Sequence, residues 1–288
     1  MKYAFIKEHQ KEFSIRLMCR VLEVSESGYY RWRTSSISKR ACENEILLEK
    51  IKEIHKKSRM NYGCPKIYQA LRKSGEVVNY KRVERLMRVN GIRAKRARKF
   101  RVTTTSKHKL AVADNLLERN FKVTKPDEVW TSDITYISTS EGWLYLVVFL
   151  DLYSRLVVGW TASESLTSEF VARAFLIAQQ RRGEMVSPLV HSDRGSQYAS
   201  VDFREKLLAW NCQQSMSRKG DCWDNAVSES FFSVLKTELV HHERFVTRQE
   251  AKDKLFDYIE VFYNRSRIHS ATEYLSPMEY EQRYRQAA

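Results

Sequence analysis

A run of seven apolar residues, Leu144 to Leu150, closed by Asp151, constrains the fold more than any other stretch of this chain. Extended to Tyr153, it reads as a β-strand with apolar side chains at successive positions, so both faces must be covered. Its surroundings supply the covering layers. Val129 to Ile137 partly alternates and is rich in β-formers, and Arg155 to Ala162 follows through the tight link Tyr153-Ser154, predicting an antiparallel meander. Helices are expected from about Ser168 to Arg181, from Asp202 to Trp210 and from about Asp224 to Val240. Between them come short strands at 188–193 and around 214–216. The order β-β-β-α-β-α-β-α predicts an α/β fold, a mixed sheet with helices on its faces.

Charge divides the chain at the same place. Residues 1–125 hold 32 Lys and Arg against 12 Asp and Glu, a balance of +20. Residues 126–288 hold 18 against 23, a balance of −5, which together restore the net +15. The basic part is built to hold a polyanion. A membrane partner does not fit, because a spanning helix needs about 20 apolar residues and charges interrupt the N-terminus from Lys7 to Glu12. A cytoplasmic protein is expected. Cys19, Cys42, Cys64, Cys212 and Cys222 form no close pair, which argues against structural zinc.

The basic part reads as helices. Residues 14–32 give a short apolar helix, a turn, and a second helix rich in polar and aromatic residues, the outline of a helix-turn-helix. Ile46 to Lys57 carries an apolar stripe. A second helix-turn-helix candidate follows, with a turn at Lys73-Ser74-Gly75, Asn79 placed as N-cap and Gly91 as C-cap. Lys81, Arg82, Arg85 and Arg88 lie on or near its second helix. From Arg93 to Arg101 six of nine residues are basic (Arg93, Lys95, Arg96, Arg98, Lys99 and Arg101) and none is acidic. Such a run binds phosphates without regard to sequence. The expected organisation is a helix-turn-helix candidate at 1–40, a second at 41–105 with a basic tail, a linker at 106–125, a catalytic core at 126–240 and a helical extension at 241–288.

Three acids stand out in the acidic part. Asp133 lies in the apolar first strand, Asp193 at the end of the fourth, and Glu229 just over one turn into the last long helix. A carboxylate in an apolar strand is costly unless paired or metal-bound, and three converging acids repel one another without a cation. Magnesium accepts hard oxygen ligands. Two such ions about 3.5–4 Å apart activate an attacking oxygen and stabilise a leaving one at a phosphodiester. Taken singly, each acid has an ordinary explanation as a turn cap, an ion-pair partner or a solvated helix residue.

Taken together, they resemble the two aspartates and glutamate of the retroviral-integrase superfamily, and more closely the second-frame catalytic product of a widespread class of bacterial insertion-sequence transposases. The resemblance rests on Trp130-Thr131-Ser132-Asp133-Ile134-Thr135-Tyr136, on His191 to Tyr198, and on Asp224 to Phe232. Residues 194 to 228, thirty-five in all, separate the second and third acids as the family's pattern requires. Tyr263 to His269, and Ser276-Pro277 beyond it, match the family's C-terminal segment.

The resemblance implies an RNase H-like core with Asp133, Asp193 and Glu229 as catalytic, metal-holding residues. It also implies two Mg²⁺ ions per site, with Mn²⁺ able to substitute. Lys236, two helical turns after Glu229 and on its face, fills the family's basic position and is expected to hold DNA, as is Lys219 in the loop before the helix. The implied partners are double-stranded DNA, comprising terminal inverted repeats and target, an upstream-frame product or a fusion with it, and further copies of the chain on DNA. The zinc-binding N-terminal module of retroviral integrases is missing, and the helix-turn-helix candidates stand in its place. Two other readings compete. A non-catalytic regulator of transposition leaves the acid spacing without a purpose, and a nuclease for RNA–DNA hybrids leaves the basic N-terminal part unexplained.

Overall fold

The computed structural model describes residues 1–34, 38–95, 110–183, 186–219 and 221–287. Arg96, Arg98, Lys99 and Arg101 of the basic run lie outside the described residues.

The first three helices are α1 (Lys2–Glu8), α2 (Ile15–Val21) and α3 (Glu26–Thr34). They enclose a small core of Ile6, Met18, Cys19 and Tyr29. The Ser14 hydroxyl accepts from the Leu17 amide and starts α2, so the first helix-turn-helix outline is present. Helix α1 had no counterpart in the sequence reading, because its seven residues hold one buried side chain, Ile6, and show no apolar period.

The next three helices are α4 (Lys39–Lys57), α5 (Cys64–Lys73) and α6 (Tyr80–Val89). Helix α4 begins seven residues before the expected start, at Lys39 rather than Ile46, because Ser38 caps it through the Ala41 amide. Asn79 caps α6 by accepting from the Lys81 amide at 2.8 Å. Gly91, at φ +66°, reverses the chain, with the Ile92 amide closing onto the Met87 carbonyl.

The C-terminal part holds, among the described residues, five strands in the order β3-β2-β1-β4-β5. They are β1 (Val129–Thr139), β2 (Gly142–Asp151), β3 (Val157–Ser163), β4 (Leu189–Ser192) and β5 (Gln213–Met216). The first three form the expected antiparallel meander, and β4 and β5 run parallel to β1. Strand β2 is covered on both faces, as its sequence requires. Leu144, Leu146, Val148 and Leu150 pack with one layer, and Val147 and Phe149 with the other.

The second layer is α7 (Ser168–Arg182) with α8 (Val201–Ala209). A Cβ at Gly159 would lie 2.5 Å from the Ala174 carbonyl, so only glycine lets α7 approach β3 this closely. The first layer is α9 (Ala226–Glu238) with α10 (Arg248–Phe256), which continues as a π-helical turn over Asp257–Tyr263. Helix α11 (Pro277–Ala287) closes the chain.

Further boundaries differ from the sequence reading. Strand β2 ends at Asp151 and β3 begins at Val157, where 153 and 155 were expected. The buried Asp151 carboxylate accepts from the Ser154 amide and hydroxyl at 2.7 and 2.8 Å, and Arg155 takes a left-handed conformation at φ +64°. That turn consumes the residues assigned to strand. The long helix also starts later, because Cys222–Asn225 form a 3-10 turn before α9.

The helical module and the C-terminal part share one hydrophobic core. Leu47, Ile51, Ile67 and Leu71 belong to the same buried cluster as Leu144, Leu235 and Ile259. Arg59 pairs with Asp257, and the Tyr62 hydroxyl donates to the Ser266 carbonyl and accepts from the Ile268 amide. The connector also lies against the core. The amides of Leu116 and Leu117 donate to the Ser215 hydroxyl, and Leu117 is buried with Val129 and Leu152.

Candidate active site

Strand alternation places Asp133 on the side of the sheet that faces α9. Asp133 pairs with Val148 and lies four residues from Ile137, and both of those side chains pack with the α9 layer. Strand β4 runs beside β1 with His191 level with Thr131. Strand β4 ends at Ser192, one residue short of the expected end, and Asp193 follows directly, near enough for its charge to act on Asp133. Both aspartates are half-buried, whereas Glu229, in the first turn of α9, is exposed.

The electrostatics reflect that convergence. Burial, then the charge of Asp193, hold the Asp133 carboxyl well above the usual carboxylate range, against a 2.8 Å hydrogen bond from the Ile134 amide. Burial, then Asp193, also raise Glu229. Burial lowers Lys236, and the charge of Asp133 works in the opposite sense. Acids from β1, from the residue after β4 and from α9 therefore lie within each other's fields, with an ammonium at their edge. Among the described residues, no three carboxylate, histidine or cysteine side chains are close enough together to enclose a metal ion.

The residues around the acids fix their backbone. The Gly195 amide donates to Asp193 Oδ1 at 2.9 Å. The buried Tyr198 hydroxyl hydrogen-bonds the Ser132 hydroxyl at 2.7 Å, next to Asp133. His191 is buried, and its ring contacts the Ser215 and Ser217 hydroxyls at 2.9 and 3.2 Å. Burial pushes its pKa down to about 4, so it locks β4 to β5 as a neutral ring.

Asp224, fully buried, accepts from the Arg218 backbone amide and guanidinium, from Arg119 and from Asn115. The Arg218 hydrogen bond, foremost, holds its carboxyl far below the usual range. Sequence reasoning quoted Asp224 within a motif and gave it no role. Its partners lie more than 100 residues upstream or in a loop, and no local pattern marks them.

The expected DNA-contacting residues fall into two groups. Lys81, Arg85, Arg88, Arg93 and Lys219 are exposed. Arg82 instead donates to the Asn44 carboxamide at 2.8 Å and lies 3.6 Å from Glu43, inside the helical module. The Lys95 ammonium donates to the Glu238 carbonyl at 2.7 Å, at the end of α9.

Comparison with known proteins agrees with this architecture. The integrase core domain family matches residues 123–222 and again 229–284, and an HTH-like domain family matches residues 42–100. Fold and family together define a DDE-type polynucleotidyl transferase with an integrase core. The chain is 43% identical over 288 residues to the transposase InsF for insertion sequence IS3A of Escherichia coli K12, covering 98% of each. It is 41% identical over 271 residues to a 31 kDa protein of insertion element IS600 from Shigella sonnei, covering 94% of this chain and 100% of that one. The chain belongs to the IS3 family of insertion-sequence transposases. A more distant likeness is the HTLV-2 integrase catalytic core in complex with magnesium, 17% identical with a TM-score of 0.42 over 56% of this chain and 99% of that one. No described helix is long and apolar enough to cross a membrane.

Proposed function

We propose that this transposase cleaves DNA at the ends of its insertion sequence and transfers the 3′ strands to a target, with Asp133, Asp193 and Glu229 holding two Mg²⁺ ions. The observation that carries this reading is the approach of Asp193, just past the end of β4, to Asp133 on β1, where its charge raises the cost of ionising Asp133. The donor set fits the metal. All three groups offer hard carboxylate oxygens, and two of them are held in an environment that disfavours their charge unless a cation is supplied. The ions would polarise the scissile phosphate and activate the attacking oxygen.

The chain's own residues do the rest. Asp133 and Asp193, carried by the sheet, hold a fixed position through the Ile134 and Gly195 amides. Glu229 approaches from the exposed first turn of α9. The Lys236 ammonium lies at the edge of the acids and holds a phosphate of the DNA end. Helix α6 presents Lys81, Arg85 and Arg88 to the DNA backbone, and Arg93 and Lys219 extend that surface. Contact with two ends and a target calls for several copies on DNA, and for the upstream-frame product or a fusion with it to add sequence recognition.

Backbone contacts of this kind release counterions. Converting Lys81, Arg85 and Arg88 together to Ala lowers the magnitude of the slope of log K against log salt by about 2.7, roughly 0.9 per lost phosphate contact. Arg82→Ala leaves that slope unchanged, because its guanidinium is held by Asn44. A salt titration of DNA binding by fluorescence anisotropy measures both. An unchanged slope in the triple variant removes α6 from the DNA surface.

A further inference from the structure

Helix α9, which carries Glu229, begins in an unusual way. Asn225 occupies its N-cap position, and asparagine is among the residues that best cap a helix by accepting from its first amides. Here the side chain makes no capping hydrogen bond. Its Nδ2 donates instead to the Ser132 carbonyl at 3.3 Å, on β1 and adjacent to Asp133. Asn225 is 4% exposed, and its Oδ1 is buried without a hydrogen-bond partner among the described residues. A forgone cap and an unpaired buried oxygen both work against stability. The residue is therefore not explained by the stability of α9.

What the arrangement does achieve is placement. Asp224, one residue earlier, is held from two sides. Arg119 and Asn115 of the connector reach it at 2.8 and 2.9 Å, and Arg218 of the loop after β5 reaches it through its amide at 2.8 Å. Asn225 adds the third tie, to β1. Glu229 follows four residues later, roughly 6 Å along the helix axis. With the start of α9 held to Ser132, the distance from Glu229 to Asp133 is set by a short rigid path and not by a loop.

We infer that Asn225 is a positioning residue, which fixes the reach of Glu229 toward Asp133 through the Ser132 carbonyl. This rests on the reading of Asp133 and Glu229 as partners in one metal site. Asn225 touches neither the metal nor DNA in this role. A displacement of about an ångström at a catalytic group is enough to lower the rate a hundredfold.

The test uses Asn225→Ser and Asn225→Thr. Both keep a capping oxygen for α9, and neither reaches Ser132 with a donor. Mn²⁺ binding is followed by electron paramagnetic resonance of the free ion, with the full chain on a duplex carrying the inverted repeat that flanks its gene. Strand transfer and thermal melting are measured on the same samples. The expected result is a half-saturating Mn²⁺ concentration about tenfold above wild type. Strand transfer is weak at low metal and restored at high metal, with an unchanged or higher melting temperature.

A purely structural role gives the opposite signature, with melting temperature and activity falling together and no rescue by metal. That result, or wild-type Mn²⁺ binding in both variants, overturns the inference. Asp133→Asn and Glu229→Gln run beside them. If these two bind Mn²⁺ like wild type, the site reading itself fails. If they lose Mn²⁺ while the Asn225 variants keep it, only the positioning role fails.

Discussion

Replacing Asp133 with Asn is expected to lower DNA cleavage and strand transfer at least ~10³-fold, a loss of the size produced by removing a preorganised catalytic group, and at the same time to make the folded protein more stable. The two effects have one cause. Burial and Asp193 raise the Asp133 carboxyl, so its protonated form is favoured in the folded state. A carboxyl raised in this way costs stability once the pH exceeds its unfolded value of 3.8, and the cost persists at neutral pH. Asparagine carries no charge and removes the repulsion with Asp193. Functional groups held against the preference of the fold commonly give such a trade.

A gain of ~1 kcal/mol corresponds to about 2 °C in melting temperature for a protein of this size. Asp193→Asn and Glu229→Gln share the loss of activity. All three variants retain DNA, because the basic surface lies elsewhere. Calorimetry without added metal and an anisotropy measurement of DNA binding check the pair of effects. Full strand transfer in any of the three, or a lower melting temperature in Asp133→Asn, contradicts the assignment.

The second large effect is structural. Arg267, 5% exposed, forms three hydrogen bonds of 2.7 to 3.0 Å with the carboxylate of Glu238, 8% exposed, at the end of α9. The Tyr258 hydroxyl donates to the same carboxylate at 2.8 Å. Arg267→Met leaves a buried carboxylate without its cation, which costs about 3–5 kcal/mol, or roughly 5–8 °C in melting temperature. Adding Glu238→Leu removes the stranded charge and recovers most of that loss. A double-mutant cycle by thermal melting measures it. Simple additivity of the two variants would show that the pair is not coupled. This result also explains the C-terminal motif. Within Tyr263–His269, the Asn264 carboxamide bridges the Val157 amide and carbonyl at 3.0 and 3.1 Å, Arg267 holds α9, and Ile268 meets Tyr62. The segment clamps sheet, α9 and helical module together.

Much of the architecture was legible in the sequence because period and burial speak plainly there. Seven successive apolar residues in β2 required two covering layers, and both are present. Asn79 and Gly91 carried local capping signals that the backbone obeys. The three acids stood out from their spacing and apolar setting, and Asp193 lies near enough to Asp133 and Glu229 for its charge to raise both. What escaped was long-range. The carboxylate of Asp151 draws Ser154 and Arg155 into a turn, and no periodicity reveals that. Asp224 depends on Arg119 and Asn115, far away in sequence. Arg82 and Lys95 share the composition of their exposed basic neighbours, and only tertiary contacts with Asn44 and the Glu238 carbonyl distinguish them.

The central claim is that Asp193 gives an oxygen directly to a divalent metal at the reacting phosphate. Exchanging that oxygen for sulfur tests it most directly, because thiolate is a soft ligand that suits Mg²⁺ poorly and is better accepted by thiophilic ions. Strand transfer by Asp193→Cys, compared in Mg²⁺ and in Mn²⁺, is expected to be lost in Mg²⁺ and to return at least ~10-fold in Mn²⁺. Wild-type strand transfer by Asp193→Cys in Mg²⁺ would contradict the account.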